Sequence, residues 1–533
     1  ALLHASRRRA TRWLIPIVTV ALALVVLTAD LLAIGAVNRQ GRAEAEIGAP
    51  TVLTLAENDL RTVAAAIQDI DPTGTRVTPV AIVDSAGGVP ATVGVDPGGF
   101  RSIALWPGIQ ASALPWDRLT GPPMPPLVLT GTRLTYHATM PPVSSSGVDP
   151  TAVTSALGLA LQIVRPDGAL DVVSIGTLRT KGQDGTDAQD GERSAAVPCD
   201  LGCQVVGIGL TAPLGAAPVR GEVTISELAC DGVPFTLGAS ADWRGPPEAE
   251  VSGTVTGQSV TIDFANSGLA GVFFRHASLP EVLPALTTTS AASSDPRATI
   301  GGNLIDGSDQ LLRGVGSLPY LPGAPPRAAL VHLDNLMVHG WQGRGSTRLL
   351  AYAAASDPAS VAALIADLAG RGIAVSASAH PADRVAVFER TGATWSLELS
   401  AVVAFLALAI TAVALLILSA ATWRARTRDY AGLRMAGLNR RDIRVIALLE
   451  TLPVVLVAGI LGVATGLWSA PAAAPMVPLF TTPPAAYPVD LGTRYGAASA
   501  AAAGGLLALS LIAIAASRFV ALGSDLERLR EGG

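Results

Sequence analysis

The sequence carries little charge, since only 15% of its 533 residues are Asp, Glu, Lys or Arg, against about 25% in an average soluble protein. Its net charge is −5, so the chain has no overall basic field that would bind the phosphates of a nucleic acid. Half of the residues are hydrophobic, and the mean hydropathy is +0.45. These values exclude a disordered chain and argue against a purely soluble protein.

The motifs of common catalytic centres are missing as well. The chain has no GxxxxGK[ST] phosphate loop and no HExxH zinc motif. A complete GxSxG elbow is also missing, because segment 238–242 ends in Asp where the elbow needs Gly. The six histidines are scattered along the chain and offer no metal-ligand spacing. We therefore predict no enzyme activity, no cofactor and no metal site in this chain.

Most of the apolar excess lies in four stretches, each close to the roughly 20 residues that cross a bilayer as a helix. They are residues 13–37, 399–423, 445–468 and 495–517. The first follows a basic start, as in a signal peptide, but its apolar run is longer than a signal core and no clear cleavage site follows. We therefore predict four transmembrane helices.

The arginines predict the orientation of these helices. Four arginines precede the first stretch, and the link between the second and third carries seven arginines against two aspartates. Because positively charged loops stay in the cytoplasm, we expect a multi-pass protein of the cell membrane with both termini cytoplasmic. Residues of about 38–395 are then extracytoplasmic.

All three cysteines lie in this exterior segment, where an oxidising environment permits disulfides. Three residues separate Cys199 from Cys203, a short loop that a bridge could close, and we expect this pair to be bonded. A bridge from Cys230 to either of them is the alternative. Zinc is disfavoured because no histidine is close in sequence.

The predicted fold class is four transmembrane α-helices plus an α+β extracytoplasmic domain with an inserted all-β sandwich. Strand–helix–strand patterns occur at both ends of the exterior segment, and short alternating strands with turn residues fill the middle. The two end units are expected to pack together. The predicted boundaries are 1–37 (cytoplasmic N-terminus and first helix), 38–125 (first half of the α+β unit), 126–345 (inserted β-sandwich-like domain), 346–398 (second half), 399–517 (helices two to four, with a cytoplasmic elbow at 424–444) and 518–533 (cytoplasmic tail).

The cytoplasmic link has the local signals of two helices joined by a tight turn. Gly437 suits the position just after a helix C-terminus, and Asn439 is a good N-cap for the next helix. Asp442 stands where a capping box has its acidic residue, and Leu438 with Ile443 forms a hydrophobic staple. On composition alone, a well-capped positive-inside loop explains this pattern without any further role.

The run from Arg428 to Leu438, with Glu450 inside the next span, resembles the signature of FtsX-like and MacB-like ABC transporter permeases. In that family an R-x-x-E/D-x-x-x-L-R-x-x-G pattern follows the second span, and a Glu opens the third. The layout of one span, a large exterior domain and three further spans also agrees. The basic start followed by a span resembles the second half of longer, duplicated permeases of the actinobacterial type; the alternative is a four-span subunit that dimerises.

The resemblance implies a permease subunit without ATPase activity of its own, paired with an ABC ATP-binding subunit and a second permease copy or half. It further implies that ATP-driven motion is transmitted to the exterior domain, for export of lipid, lipoprotein or peptide or for action on a cell-envelope partner. The candidate ATPase-coupling residues are Arg428, Asp429, Leu433, Arg434, Gly437, Asn439, Asp442 and Glu450.

Three membrane residues have two interpretations each. Asp30 lies near the outer end of the first span, where a hydrated interfacial carboxylate is favoured over a functional one. Gly462 and Gly466 form a small-xxx-small pair for close helix packing, either within one subunit or at a dimer seam. For the whole chain, the competing hypothesis is a membrane-anchored receptor or glycan-binding envelope protein without transport activity, motivated by the β-rich middle.

Overall fold

The computed structural model describes most of the chain. The described residues are 9–84, 88–119, 127–139, 144–145, 158–165, 170–177, 192–211, 219–245, 251–266, 271–278, 280, 282–295, 297–305, 307, 309–338, 342–343, 347–422, 426, 430, 432–433 and 435–522. The chain divides into two compact units: residues 1–43 with 381–533, and residues 44–380.

Nine α-helices are named here in chain order. They are α1 Arg9–Ile47, α2 Leu60–Ile70, α3 Pro97–Ile103, α4 Leu333–Leu336, α5 Pro358–Gly370, α6 Pro381–Glu389, α7 Gly392–Ala421, α8 Arg440–Ala473 and α9 Tyr495–Leu522. Among the described residues, four helices are long and apolar enough to cross a membrane, and they are α1, α7, α8 and α9. The prediction of four apolar membrane-crossing helices is therefore confirmed.

Small residues let the membrane helices of the first unit approach each other closely. A Cβ added to Gly462 would lie 2.6 Å from the carbonyl oxygen of Thr19, and one added to Gly466 would lie 2.9 Å from that of Ala23. The Thr19 hydroxyl donates a hydrogen bond to the Ala458 carbonyl at 3.1 Å. Backbones thus touch where α1 crosses α8, as small residues allow in membrane helices.

Among the described residues, twenty strands form two sheets in the second unit. They are β1 Thr51–Leu55, β2 Val77–Val83, β3 Ala91–Val95, β4 Leu127–Thr139, β5 Ser144–Ser145, β6 Gly158–Val164, β7 Leu170–Thr177, β8 Glu192–Thr211, β9 Val219–Cys230, β10 Val233–Pro234, β11 Trp243–Arg244, β12 Val251–Thr256, β13 Ser259–Asn266, β14 Gly271–His276, β15 Val282–Thr288, β16 Thr299–Asn303, β17 Asp309–Leu318, β18 Ala328–His332, β19 Thr347–Ala353 and β20 Val375–Ala379.

The first sheet is mixed and has nine strands in the order β16-β17-β15-β18-β3-β2-β19-β1-β20. Strand β19 lies between β2 and β1, so the two strand–helix–strand patterns at the ends of the exterior segment share one sheet. Helix α2 begins where the carboxylate of Asp59 accepts a hydrogen bond from the Thr62 amide, and α5 begins in the same way at Asp357. Both helices bury apolar side chains in the core of this sheet.

The second sheet is antiparallel, and its eleven described strands are connected by one hydrogen-bonded network. The 20-residue strand β8 pairs with β4 and β14 and also with β6, and the apolar side chains of these strands share one core. Tyr136 is buried in that core and donates a hydrogen bond to the Ile175 carbonyl at 2.6 Å. A large sheet-rich region is thus present, while its division into a two-sheet sandwich stays a prediction.

The antiparallel sheet ends earlier than the predicted boundary at residue 345. Strands β15 to β18, which cover Val282–Thr288 through Ala328–His332, pair with the mixed sheet through β3. Short alternating strands look alike in sequence whichever sheet they join, because alternation reports only that one face is buried. The predicted boundaries put these four strands in the inserted domain, whereas in the structure they belong to the mixed sheet.

Candidate functional site

The elbow between α7 and α8 is the region that the sequence singled out, and the structure describes part of it. The described residues between the two helices are 422, 426, 430, 432–433 and 435–439. The predicted coupling residues Arg428, Asp429 and Arg434 lie outside the described residues. Leu433, Gly437, Asn439, Asp442 and Glu450 are described.

A short helical segment ends in a tight turn at Gly437. This glycine has φ +95°, a left-handed conformation that costs an L-residue with a side chain. The Leu438 amide donates a hydrogen bond back to the Leu433 carbonyl at 3.2 Å, which is the six-to-one bond of a Schellman C-cap. Leu433 and Leu438 also pack in the same apolar cluster, the side-chain contact that accompanies this motif.

Helix α8 begins immediately after this turn. The carboxylate of Asp442 accepts a hydrogen bond from the Asn439 amide at 3.2 Å, so a side chain of the first turn satisfies one of the backbone donors that helices leave free. Ile443 is buried with Tyr430 and Ala447 in a small core that Leu433 and Leu438 border. The turn is therefore fixed by its backbone bonds and by its own apolar core.

Glu450 connects the elbow to the body of α8. One carboxylate oxygen accepts a hydrogen bond from the Tyr430 hydroxyl at 3.1 Å, and the Arg426 guanidinium lies 4.0 Å from the same oxygen. Tyr430 is 2% exposed. Neither partner is among the coupling residues predicted from the sequence, and the available signal was an aromatic residue 20 positions before a membrane glutamate.

The surface of the elbow is polar and exposed. Arg441, Asp442 and Arg444 are exposed on the first turns of α8, and Met435 is 76% exposed before the turn. Within the described ranges, no group of three or more His, Cys, Asp or Glu side chains could hold a metal ion. The described part of the elbow thus exposes two arginines, one aspartate and one methionine.

The cysteines lie in the core of the antiparallel sheet, far along the chain from the elbow. Cys199 and Cys203 form a disulfide with Cα atoms 5.0 Å apart, and Cys230 is a buried free thiol. Burial, with the nearby carboxylate of Asp231, raises the pKa of the Cys230 thiol. The pairing is the one that the spacing favoured.

The three membrane residues with two interpretations have defined surroundings. Gly462 and Gly466 face α1 of the same chain. Asp30 is fully buried, and its Oδ1 accepts a hydrogen bond from the Arg494 amide at 2.6 Å. The expectation of a hydrated carboxylate was wrong, because residues after α8 fold back over this position and cover it.

Comparison with known proteins identifies the membrane part of the chain. Residues 401–522, which include α8, α9, the elbow and most of α7, match the model of the family described as FtsX-like permease C-terminal. No curated protein matches the chain. Permeases of this family are typically non-enzymatic, multi-pass plasma-membrane subunits that work with ABC ATPase partners. The chain thus carries an FtsX-like permease domain, consistent with an FtsX/MacB-like ABC permease.

Proposed function

We propose that this chain is the membrane subunit of an FtsX/MacB-type ABC transporter and that its elbow receives the motion of a separate ATP-binding subunit. The observation that carries the proposal is the fixed turn at Gly437, which joins two membrane helices and is tied to Glu450 through Tyr430. Because the turn is held by backbone hydrogen bonds and by its own apolar core, it moves as a rigid element, and its displacement also displaces α8.

The charge of the elbow supports a cytoplasmic partner. Seven arginines against two aspartates in 424–444 favour the cytoplasmic side of the membrane, where ATP is available. Arg428, Asp429 and Arg434 are proposed as contact residues from the family pattern. Leu433, Gly437, Asn439, Asp442 and Glu450 are proposed to shape and anchor the turn.

The sheet-rich unit is proposed to be the extracytoplasmic output of this motion. It comprises residues 44–380 and joins the membrane part through α1 and α6. Motion of the membrane helices would then act on cargo such as a lipid, lipoprotein or peptide, or on a cell-envelope partner. A second permease copy or half would complete the transporter.

Co-purification tests the proposed partner. The full chain is isolated from its native membranes in mild detergent, and bound proteins are identified by mass spectrometry. We expect an ABC ATP-binding protein to co-purify with the native chain and its amount to fall in Arg444→Glu, which reverses an exposed elbow charge. Arg518→Glu is the matched control, because Arg518 is an exposed arginine near the C-terminal end of α9 and lies outside the elbow.

If the native chain retains no ATP-binding protein, or if Arg444→Glu and Arg434→Glu retain as much as Arg518→Glu, the elbow is not a coupling surface. Saccharide binding by the full chain without any ATPase would then favour the receptor hypothesis.

A further inference from the structure

The 477–494 loop, which connects α8 to α9 after a short 3₁₀ turn at Ala474–Met476, is packed against α1. Leu479 and Phe480 are buried in one apolar cluster with Leu31 and Ile34 of α1 and with Leu397 of α7. The loop is therefore held against α1 by apolar packing.

The side chain of Asn38 is hydrogen-bonded to the backbone of this loop. Its Nδ2 donates hydrogen bonds to the carbonyl oxygens of Asp490, at 2.7 Å, and Ile34, at 2.8 Å. Its Oδ1 accepts a hydrogen bond from the Asp490 amide at 2.8 Å. Asn38 is fully buried, and its primary amide carries the donor and the acceptor of this reciprocal pair on two separate atoms.

Asp30 holds the same loop about two helical turns away. Its Oδ1 accepts from the Arg494 amide, one of the backbone donors left free where α9 begins at Tyr495. The Arg494 guanidinium is turned to the carboxylate of Asp490 instead, at 2.6 Å. The Asp490 carboxylate accepts hydrogen bonds from the Gly492 amide and from Arg494, and these bonds lower the pKa of Asp490. The same bonds join residues 490–494 of the loop to one another.

Arg42 adds a third attachment one turn beyond Asn38. Its Nη1 donates to the Thr482 carbonyl at 2.7 Å. The guanidinium lies over the rings of Phe388 and Phe480, 4.9 Å and 4.7 Å from their centroids. Cation–π contacts of this kind favour Arg over an uncharged side chain.

These contacts are of a different kind from those deeper in the membrane. Where α1 crosses α8 at Gly462 and Gly466, the surfaces meet mainly through glycine and backbone atoms, with one hydrogen bond from the Thr19 hydroxyl to the Ala458 carbonyl. At 30–42, by contrast, directional hydrogen bonds fix the register between α1 and the loop. The helix then continues to Ile47, and the chain enters β1.

We propose that Asn38 and Asp30 act as positioning residues that latch the 477–494 loop to α1, so that α1 follows the outer ends of α8 and α9. The exterior latch is defined as Asp30, Asn38, Asp490 and Arg494. Its part in transport rests on the proposed function, whereas the latch itself does not.

Spin labels on the full chain in lipid nanodiscs test the latch directly. One label is placed at Val37→Cys, which is 45% exposed on α1, and the other at the exposed Ala485→Cys in the loop. We expect a narrow distance distribution in the otherwise native chain and a broad one in Asn38→Ala. Ser499→Ala should keep the narrow distribution, because this exposed hydroxyl donates to the Gly496 carbonyl of its own helix.

A second pair keeps the test decisive if Asn38→Ala fails to fold. Asp30→Asn retains an acceptor for the Arg494 amide and should keep the narrow distribution, whereas Asp30→Ala should broaden it. Unchanged distributions in Asn38→Ala and Asp30→Ala, or equal broadening in Ser499→Ala, would overturn the latch.

Hydrogen–deuterium exchange on the complex with the co-purified ATPase distinguishes positioning from mere stability. ATP with vanadate is expected to change deuterium uptake at β1 in the native chain, and this change should be lost in Asn38→Ala while the bound ATPase stays constant. A change retained in full would refute the role in transmission. Absence of any ATPase from the native chain would instead contradict the proposed function, and the label distances would still decide on the latch.

Discussion

Replacing Gly437 by alanine tests whether the elbow is held in the conformation described above. The residue has φ +95°, and among the described residues an added Cβ would meet no atom within 4 Å. The whole effect therefore comes from the backbone. Gly432 is the matched control, because its added Cβ also meets nothing within 4 Å, but it lies in the helical turn before the bend.

The two substitutions should act in opposite directions. A non-glycine residue in the left-handed region costs about 1–2 kcal/mol, so Gly437→Ala should destabilise the turn by that amount. Alanine in place of a helical glycine stabilises by about 0.5–1 kcal/mol, so Gly432→Ala should tighten it. The variants would then differ by about 1.5–3 kcal/mol, which is roughly 10- to 140-fold in the equilibrium for local opening.

Hydrogen exchange of the full chain in nanodiscs measures this opening at the elbow amides. The Ala436 and Leu438 amides are the reporters, since they donate to the Gly432 and Leu433 carbonyls. Exchange should accelerate in Gly437→Ala and slow in Gly432→Ala. Slower or unchanged exchange in Gly437→Ala would refute the account of the turn.

Three further outcomes are expected. Gly462→Leu should lower the thermal unfolding midpoint in detergent, monitored by circular dichroism, because its Cβ would lie 2.6 Å from a carbonyl oxygen of α1 and overpacking costs about 1–3 kcal/mol. Gly504→Leu is the control, because among the described residues an added Cβ at position 504 meets nothing within 4 Å. Replacing Cys199 and Cys203 together by serine should destabilise the antiparallel sheet by about 2 kcal/mol, the loop-closure value for so short a bridge, and a denaturant midpoint equal to that of the native chain would contradict this. Burial alone would raise the pKa of Asp71, but one hydroxyl and three amide hydrogen bonds outweigh burial and lower the pKa to about 2. The stability that this lowered pKa provides is present above about pH 3.9, the ordinary pKa, and is lost as the pH falls through about 2. Asp71→Asn should therefore flatten the acid limb of a stability–pH curve.

The features that the sequence predicted well are those whose cause is local. The apolar length of α1, α7, α8 and α9 is a property of consecutive residues. The turn at Gly437 and the hydrogen bond between Asn439 and Asp442 join residues at most a few positions apart. The same is true of the bridge between Cys199 and Cys203.

The features that escaped prediction depend on distant parts of the chain. Asn38 and Asp490 are 452 positions apart, and no periodicity connects them. Asp30 could be judged only by its depth in a span, whereas its burial depends on the residues that follow α8. Strand β18 was assigned to the wrong sheet because its partner, β3, precedes the antiparallel strands in sequence. Local patterns report that a face is buried and leave open what covers it.

Site-specific photo-crosslinking in the native membrane can show whether the elbow contacts an ATP-binding subunit, as we propose. A photoreactive amino acid replaces Met435 before the turn or, as the control, Met476 after the other end of α8; these methionines are 76% and 84% exposed. We expect an adduct with an ABC ATP-binding protein from position 435 and none from position 476. No such adduct from position 435, or equal adducts from both positions, would contradict the proposal.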